Sequence, residues 1–173
     1  MSAHDIHVKR RKTRKVGLIG LLFLAIIVGL WWGLPTYRKL QADFMVEELC
    51  KKDGGIRVFE IVRLPQERFS PQGNMVFSGN KNLPPLKEGS TPNDEFYFTH
   101  ETNWILPDSG FNSLAVWKTH QKLFRAKDGK LLGESIAYSR RGGDPMGPWH
   151  PSSFGCPKNV DIVFLVRKVI VKQ

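Results

Sequence analysis

The chain has 173 residues, with 26 Lys+Arg against 16 Asp+Glu for a formal charge of +10, and is 41% apolar and 11% aromatic. That apolar content is enough for a core and excludes a fully disordered chain, while the length excludes a (β/α)₈ barrel of ~250 residues and allows one domain with appendages. A mean hydropathy of −0.28 is too polar for a protein that crosses a membrane many times.

The charge is unevenly placed. Residues 1–15 hold six bases (Lys9, Arg10, Arg11, Lys12, Arg14, Lys15) against Asp5 alone, whereas 20 bases and 15 acids follow residue 35. A nucleic-acid surface would need bases interleaved with aromatics on a folded face. The tail has no aromatic, so we expect no nucleic-acid partner and read 1–15 as a basic cytoplasmic tail beside a membrane segment.

Residues 16–34 follow with no charge and no strongly polar side chain. At 1.5 Å per residue this run is about 29 Å long, close to the ~30 Å hydrocarbon core of a bilayer. Trp31, Trp32 and Tyr37 fall at its end, where amphipathic rings favour the headgroup layer, and Pro35 predicts a kink or break there. The bases before the run set the orientation, with the N-terminus inside and residues 36–173 outside. The run exceeds the 7–15 apolar residues of a signal peptide and lacks an Ala-x-Ala site after it, so it reads as an uncleaved anchor, a secreted soluble protein being the alternative. Gly29 and Gly33 have a small-xxx-small spacing of the kind that supports helix pairing, which keeps a homo-oligomer among the expected partners.

Residues 36–53 have helical spacing: Leu40 and Phe44 are four apart, as are Glu47 and Lys51, and Gly54–Gly55 supplies a stop. This predicts a stalk helix continuing from the membrane. Residues 54–173 then form an extracytoplasmic domain. Within it, 56–64 is β-branched and predicts a strand, 65–94 reads as long loops, and 95–101 predicts a short aromatic strand. Residues 114–125 and 131–140 flank Asp128–Gly129, a hairpin turn signal. Residues 160–171 are apolar on both faces and predict a long central strand, or one covered by the stalk helix. The fold class expected is α+β, with a transmembrane helix running into a stalk helix packed on an antiparallel sheet.

Cys50 and Cys156 are the two cysteines. An even pair in an oxidising compartment predicts one disulfide, since neither has metal-ligand spacing. No Asn-x-Ser/Thr acceptor occurs, which favours a bacterial over a eukaryotic ectodomain. The segment 140–157 has no period yet carries Trp149, His150 and Cys156. Arg140, Arg141 and the Gly142–Gly143 backbone suit an anion, and with Trp149 and His150 they form the candidate binding loop. The other reading of this segment is a pinned surface loop. No nucleophile elbow, zinc motif, P-loop or dinucleotide fingerprint is present, so no metal or cofactor is expected and catalysis is disfavoured. A membrane-tethered hydrolase using His150 or His100 is the runner-up.

The layout is similar to that of type IV pilins and pseudopilins, and to small bitopic assembly factors of bacterial secretion and conjugation machines. The prepilin-peptidase pattern is missing, because cleavage after Gly17 or Gly20 would put Leu22 or Ala25 where those proteins carry Glu. The expectation is therefore a protein of the bacterial inner membrane, with lipid and envelope proteins as partners and a periplasmic domain that binds or assembles without chemistry.

Overall fold

A computed structural model describes the backbone of residues 3–77, 83–110, 113–145 and 150–173, with side chains described from residue 19. The chain is α+β: one long apolar helix, an antiparallel sheet and a second helix. Helix α1 spans Ala3–Asp53 without interruption. Pro35 lies inside it, where a kink or break was expected. A proline removes one backbone donor and crowds the preceding turn. Thr36 Oγ1 donates to the Trp32 carbonyl at 2.7 Å, so one of the carbonyls in the disturbed turn gains a second donor. Gly54 ends α1, its N–H donating to the Cys50 carbonyl at 2.8 Å. A Cβ on Gly54 would lie 2.7 Å from that oxygen and 3.0 Å from the Cys50 sulfur, so the turn needs a residue without one.

The main sheet runs β1–β5–β4–β3, with β6 also paired to β5. Its strands are β1 (Gly55–Val58), β3 (Phe96–Leu106), β4 (Ala115–Arg125), β5 (Leu131–Arg141) and β6 (Ser153–Cys156). The hairpin β4–β5 matches the sequence expectation, with Gly129 at φ 65 in its turn. β1 and β6 lie one after the other along the outer side of β5, opposite residues 133–136 and 138–141.

Two strand expectations are corrected. Residues 56–64 are not one strand. The chain leaves the sheet after Val58, where the Phe59 and Glu60 N–H groups both donate to the Leu132 carbonyl. It resumes as β2 (Val62–Leu64), which pairs in parallel with β7 (Ile170–Lys172) in a separate two-stranded sheet. Residues 160–171 form helix α2 (Ile162–Val169) followed by β7. Asp161 caps the helix, accepting from the Phe164 N–H, and Ile162, Leu165, Val166 and Val169 are its buried residues. Those positions follow the i, i+3, i+4, i+7 rule of an amphipathic helix. A capping carboxylate and helical periodicity therefore outweigh the β-propensity of the valines and isoleucines.

Each helix builds its own core. On one face of the sheet, Ala42, Val46 and Cys50 of α1 pack on Val116, Ile136 and Tyr138. On the other, α2 packs with Met75, Phe77, Phe96, Leu123 and Leu132. The close approach of α2 depends on Gly133, where a Cβ would lie 2.9 Å from Val169 Cγ2, 3.0 Å from Leu165 Cδ1 and 2.9 Å from the Arg57 carbonyl. Gly133→Ala is expected to cost about 1–3 kcal/mol by overpacking. Urea unfolding monitored by circular dichroism checks this, and because the two side chains share one contact, Gly133→Ala combined with Leu165→Ala should cost less than the sum of the two separate losses.

Candidate functional site

The segment 140–157 is tied to α1 by a polar clamp. Arg140 is 2% exposed. Its Nε and one terminal nitrogen donate to Asp43 of α1 at 2.7 and 3.1 Å, while the other terminal nitrogen donates to the Gly142 carbonyl and to the Ser152 carbonyl and hydroxyl. Asp144 accepts from the Ser152 N–H and hydroxyl at 2.6 and 2.8 Å and pairs with Lys39 of α1 at 2.7 Å. Burial pushes the Asp144 carboxyl up, but Lys39 and the two Ser152 donors outweigh it and hold it below the ordinary value. The disulfide Cys50–Cys156, with Cα atoms 5.9 Å apart, adds a covalent tie between α1 and β6.

This geometry locates the residues that the sequence singled out. The Arg140 guanidinium is committed to Asp43, Gly142 and Ser152, and the Gly142 N–H to the Ser152 carbonyl at 2.9 Å. Gly142 and Gly143 have φ of 74° and 78°, both left-handed, whereas a nest alternates right- and left-handed residues, and Leu114 packs within 2.9 Å of where a Gly143 Cβ would stand. Arg141 and His150 are exposed. Trp149 lies outside the described residues. Trp31, Trp32 and Tyr37 are exposed on α1 at 58%, 52% and 59%. The ring nitrogens of His100 face Gln121 Nε2 and Thr102 Oγ1, not a carboxylate. Among the described residues, no three His, Cys, Asp or Glu side chains gather to hold a metal ion.

A second polar cluster sits at the C-terminal end of α1, and sequence reasoning missed it. Asp53 accepts from Lys118 Nζ and from the Tyr138 hydroxyl, both at 2.7 Å. Beside it, Glu134 pairs with Arg57 at 3.0 Å and with His120 at 2.8 Å. Burial pushes the Glu134 carboxyl up, and the His120 and Arg57 donors bring it below its usual value. The alternation in β4 and β5 puts Lys118, His120, Glu134 and Tyr138 on one face, which was readable; that Asp53 reaches them was not. Acids and bases here satisfy one another, so the cluster fixes the helix on the sheet.

The surface left uncommitted is the far side of the sheet at β3. This strand is an edge, paired on one side with β4. On its other side the Phe98 N–H donates to the Pro85 carbonyl at 3.0 Å, and beyond that point residues 99–105 have no outer strand among the described residues. Trp104, 53% exposed, lies against Trp117 with ring centroids 5.4 Å apart. Thr102 and Thr119 stand opposite each other next to this pair. Natural edge strands are usually blunted by prolines, lysines or short length. This one is 11 residues long with no proline or lysine, and a bulge interrupts it only after Trp104. Compared with protein-family models, with characterised proteins and with solved structures, the chain matches none of them.

Proposed function

We propose that this chain is a single-pass membrane protein whose sheet domain recognises an extended segment of a protein partner by strand addition to β3. The carrying observation is the edge at residues 99–105, open among the described residues, beside the exposed Trp104–Trp117 pair. An extended peptide seated there gains main-chain hydrogen bonds from the unpaired edge and apolar contact from the indole platform. Self-pairing of β3 is disfavoured by the fold. A two-fold edge pairing has its axis normal to the sheet, and α1 lies across one sheet face, so the two α1 helices would point in opposite directions rather than into one membrane.

The membrane reading is supported by the described part of α1 from Ile19, which contains an 18-residue window of mean hydropathy 2.0, none of it buried. The basic tail favours a cytoplasmic N-terminus. The disulfide Cys50–Cys156 suits an oxidising compartment such as the bacterial periplasm. In this reading α1 is anchor and stalk in one rigid piece, and the Arg140 clamp holds the sheet at a set angle to the bilayer.

An alkaline phosphatase fused after Gln173 is expected to be active and a fluorescent protein at the same site dark; the reverse pattern removes the topology. For the edge, a photocrosslinker at Thr102 identifies the neighbour in cells. Added to the full-length protein in detergent, that neighbour is expected to slow amide exchange at 99–105. Unchanged exchange there rules out strand addition.

A further inference from the structure

Along α1, Gly29, Gly33, Thr36, Leu40 and Phe44 follow one another at intervals of four, three, four and four, and so share one face of the helix. The residues that meet the sheet, Lys39, Ala42, Asp43, Val46 and Cys50, lie on another side. Nothing stands within 4 Å of where a Cβ would project from Gly29 or Gly33. Leu40 and Phe44 are 61% and 62% exposed, and a shallow groove of 590 Å³ lies between Leu40, Gln41, Phe44 and Met45.

Lipid does not account for the outer half of this stripe. At 1.5 Å per residue Leu40 and Phe44 stand about 9 and 15 Å beyond Leu34, and the headgroup layer is only ~5–8 Å deep. Whatever covers the stripe must be small and close-packed at bilayer depth and apolar for two further turns in water. A second α1 in the same orientation meets both conditions, register for register. It sets glycine against glycine in the bilayer, where close backbone approach drives pairing, and Leu40 and Phe44 against their equivalents outside. The stripe runs out at Glu47 and Lys51, which are exposed and paired at 3.2 Å. In an in-register parallel pair each of these meets its own like-charged equivalent, so the apolar seam ends before them.

Resting on the single-pass reading above, we infer that the protein is a parallel homodimer joined along the Gly29, Gly33, Leu40 and Phe44 face of α1. The pairing leaves the sheet of each subunit on the outside of the joined helices, so a dimer displays two β3 edges to one partner assembly.

The test uses the full-length protein in native membranes. Leu40→Cys, Phe44→Cys and, as a control on a different face, Arg38→Cys are treated with a short bismaleimide, the native cysteines being held in their disulfide. A dimer of twice the chain mass is expected from Leu40→Cys and Phe44→Cys and not from Arg38→Cys. Adding Gly29→Ile and Gly33→Ile is expected to bring that dimer down to the control level, with the mobility of the intact disulfide on non-reducing gels showing that the domain still folds. Equal crosslinking at all three sites, none at any, or an adduct with a different protein overturns the dimer. Carbonate extraction separates the two readings: loss from the membrane removes the anchor itself, whereas a retained monomer removes only the pairing.

Discussion

Arg140→Ala is expected to destabilise the protein by about 3–5 kcal/mol, the cost of removing one partner from a buried ion pair. With a whole-domain stability of order 5–15 kcal/mol, that loss approaches unfolding. The guanidinium is 2% exposed and donates to five oxygens from three residues of the protein. Without it, the Asp43 carboxylate stays half-buried and uncompensated, the Gly142 carbonyl loses the guanidinium donor, and the Ser152 carbonyl keeps only the Gly142 N–H. Arg140→Lys keeps the charge but not the planar fork that reaches Asp43 with two nitrogens and the loop with the third, so most of the loss should persist. Replacing both members, Arg140→Met with Asp43→Leu, removes the buried charges together and should recover more than half of it. Urea titration of the full chain in mild detergent, followed by tryptophan fluorescence, gives the four midpoints. An Arg140→Ala midpoint within about 1 kcal/mol of the parent would mean that α1 is not seated by this pair.

Arg140 also marks where reading the sequence stops short. Its neighbours Arg141, Gly142 and Gly143 suggested an anion site, because two bases beside two glycines offer free donors. What the sequence does not print is that Asp43, 97 positions away, fills the fork of Arg140. The same distance effect hides Asp53 beneath Lys118 and Tyr138. Contacts between a helix and a sheet are set by how the two elements cross, and nothing local encodes that crossing.

Where a pattern is local, the sequence is legible. The β4–β5 hairpin follows from alternation on either side of Asp128–Gly129, and the long helix from an uncharged run flowing into i, i+4 pairs. The C-terminal segment was legible too, but by a different rule from the one its composition suggests. Valine and isoleucine favour strands, yet Asp161 followed by apolar residues at 162, 165, 166 and 169 is a capped amphipathic helix. Tertiary burial against Gly133 settles the competition, since a helix can place Leu165 and Val169 together over that glycine and a strand cannot. At Pro35 the helix is not broken: proline's penalty is real, but a helix flanked by long helical runs on both sides continues through it.

Removing the disulfide is expected to cost about as much as removing Arg140. Cys50 and Cys156 are 106 residues apart, and the chain-entropy account gives about 4.7 kcal/mol for closing a loop of that length. The loss should not be spread evenly. β6 has four residues and pairs only with the end of β5, so without the tie to α1 its remaining supports are that short ladder and the Arg140 and Asp144 contacts at Ser152. Amide exchange in Cys50→Ala/Cys156→Ala should therefore quicken first across 150–157, before the β4–β5 hairpin, which is held by α2 and β3 as well. Because Ser152 belongs to the Arg140 clamp and β6 to the disulfide, the two locks share one loop, and combining the cysteine pair with Arg140→Ala should cost less than the sum of the separate losses. Treating the parent with a reductant should reproduce the cysteine variant in both midpoint and exchange pattern. A parent whose stability is indifferent to reductant would show that the two thiols are not joined in the working protein, and the oxidising compartment proposed for the sheet domain would lose its support.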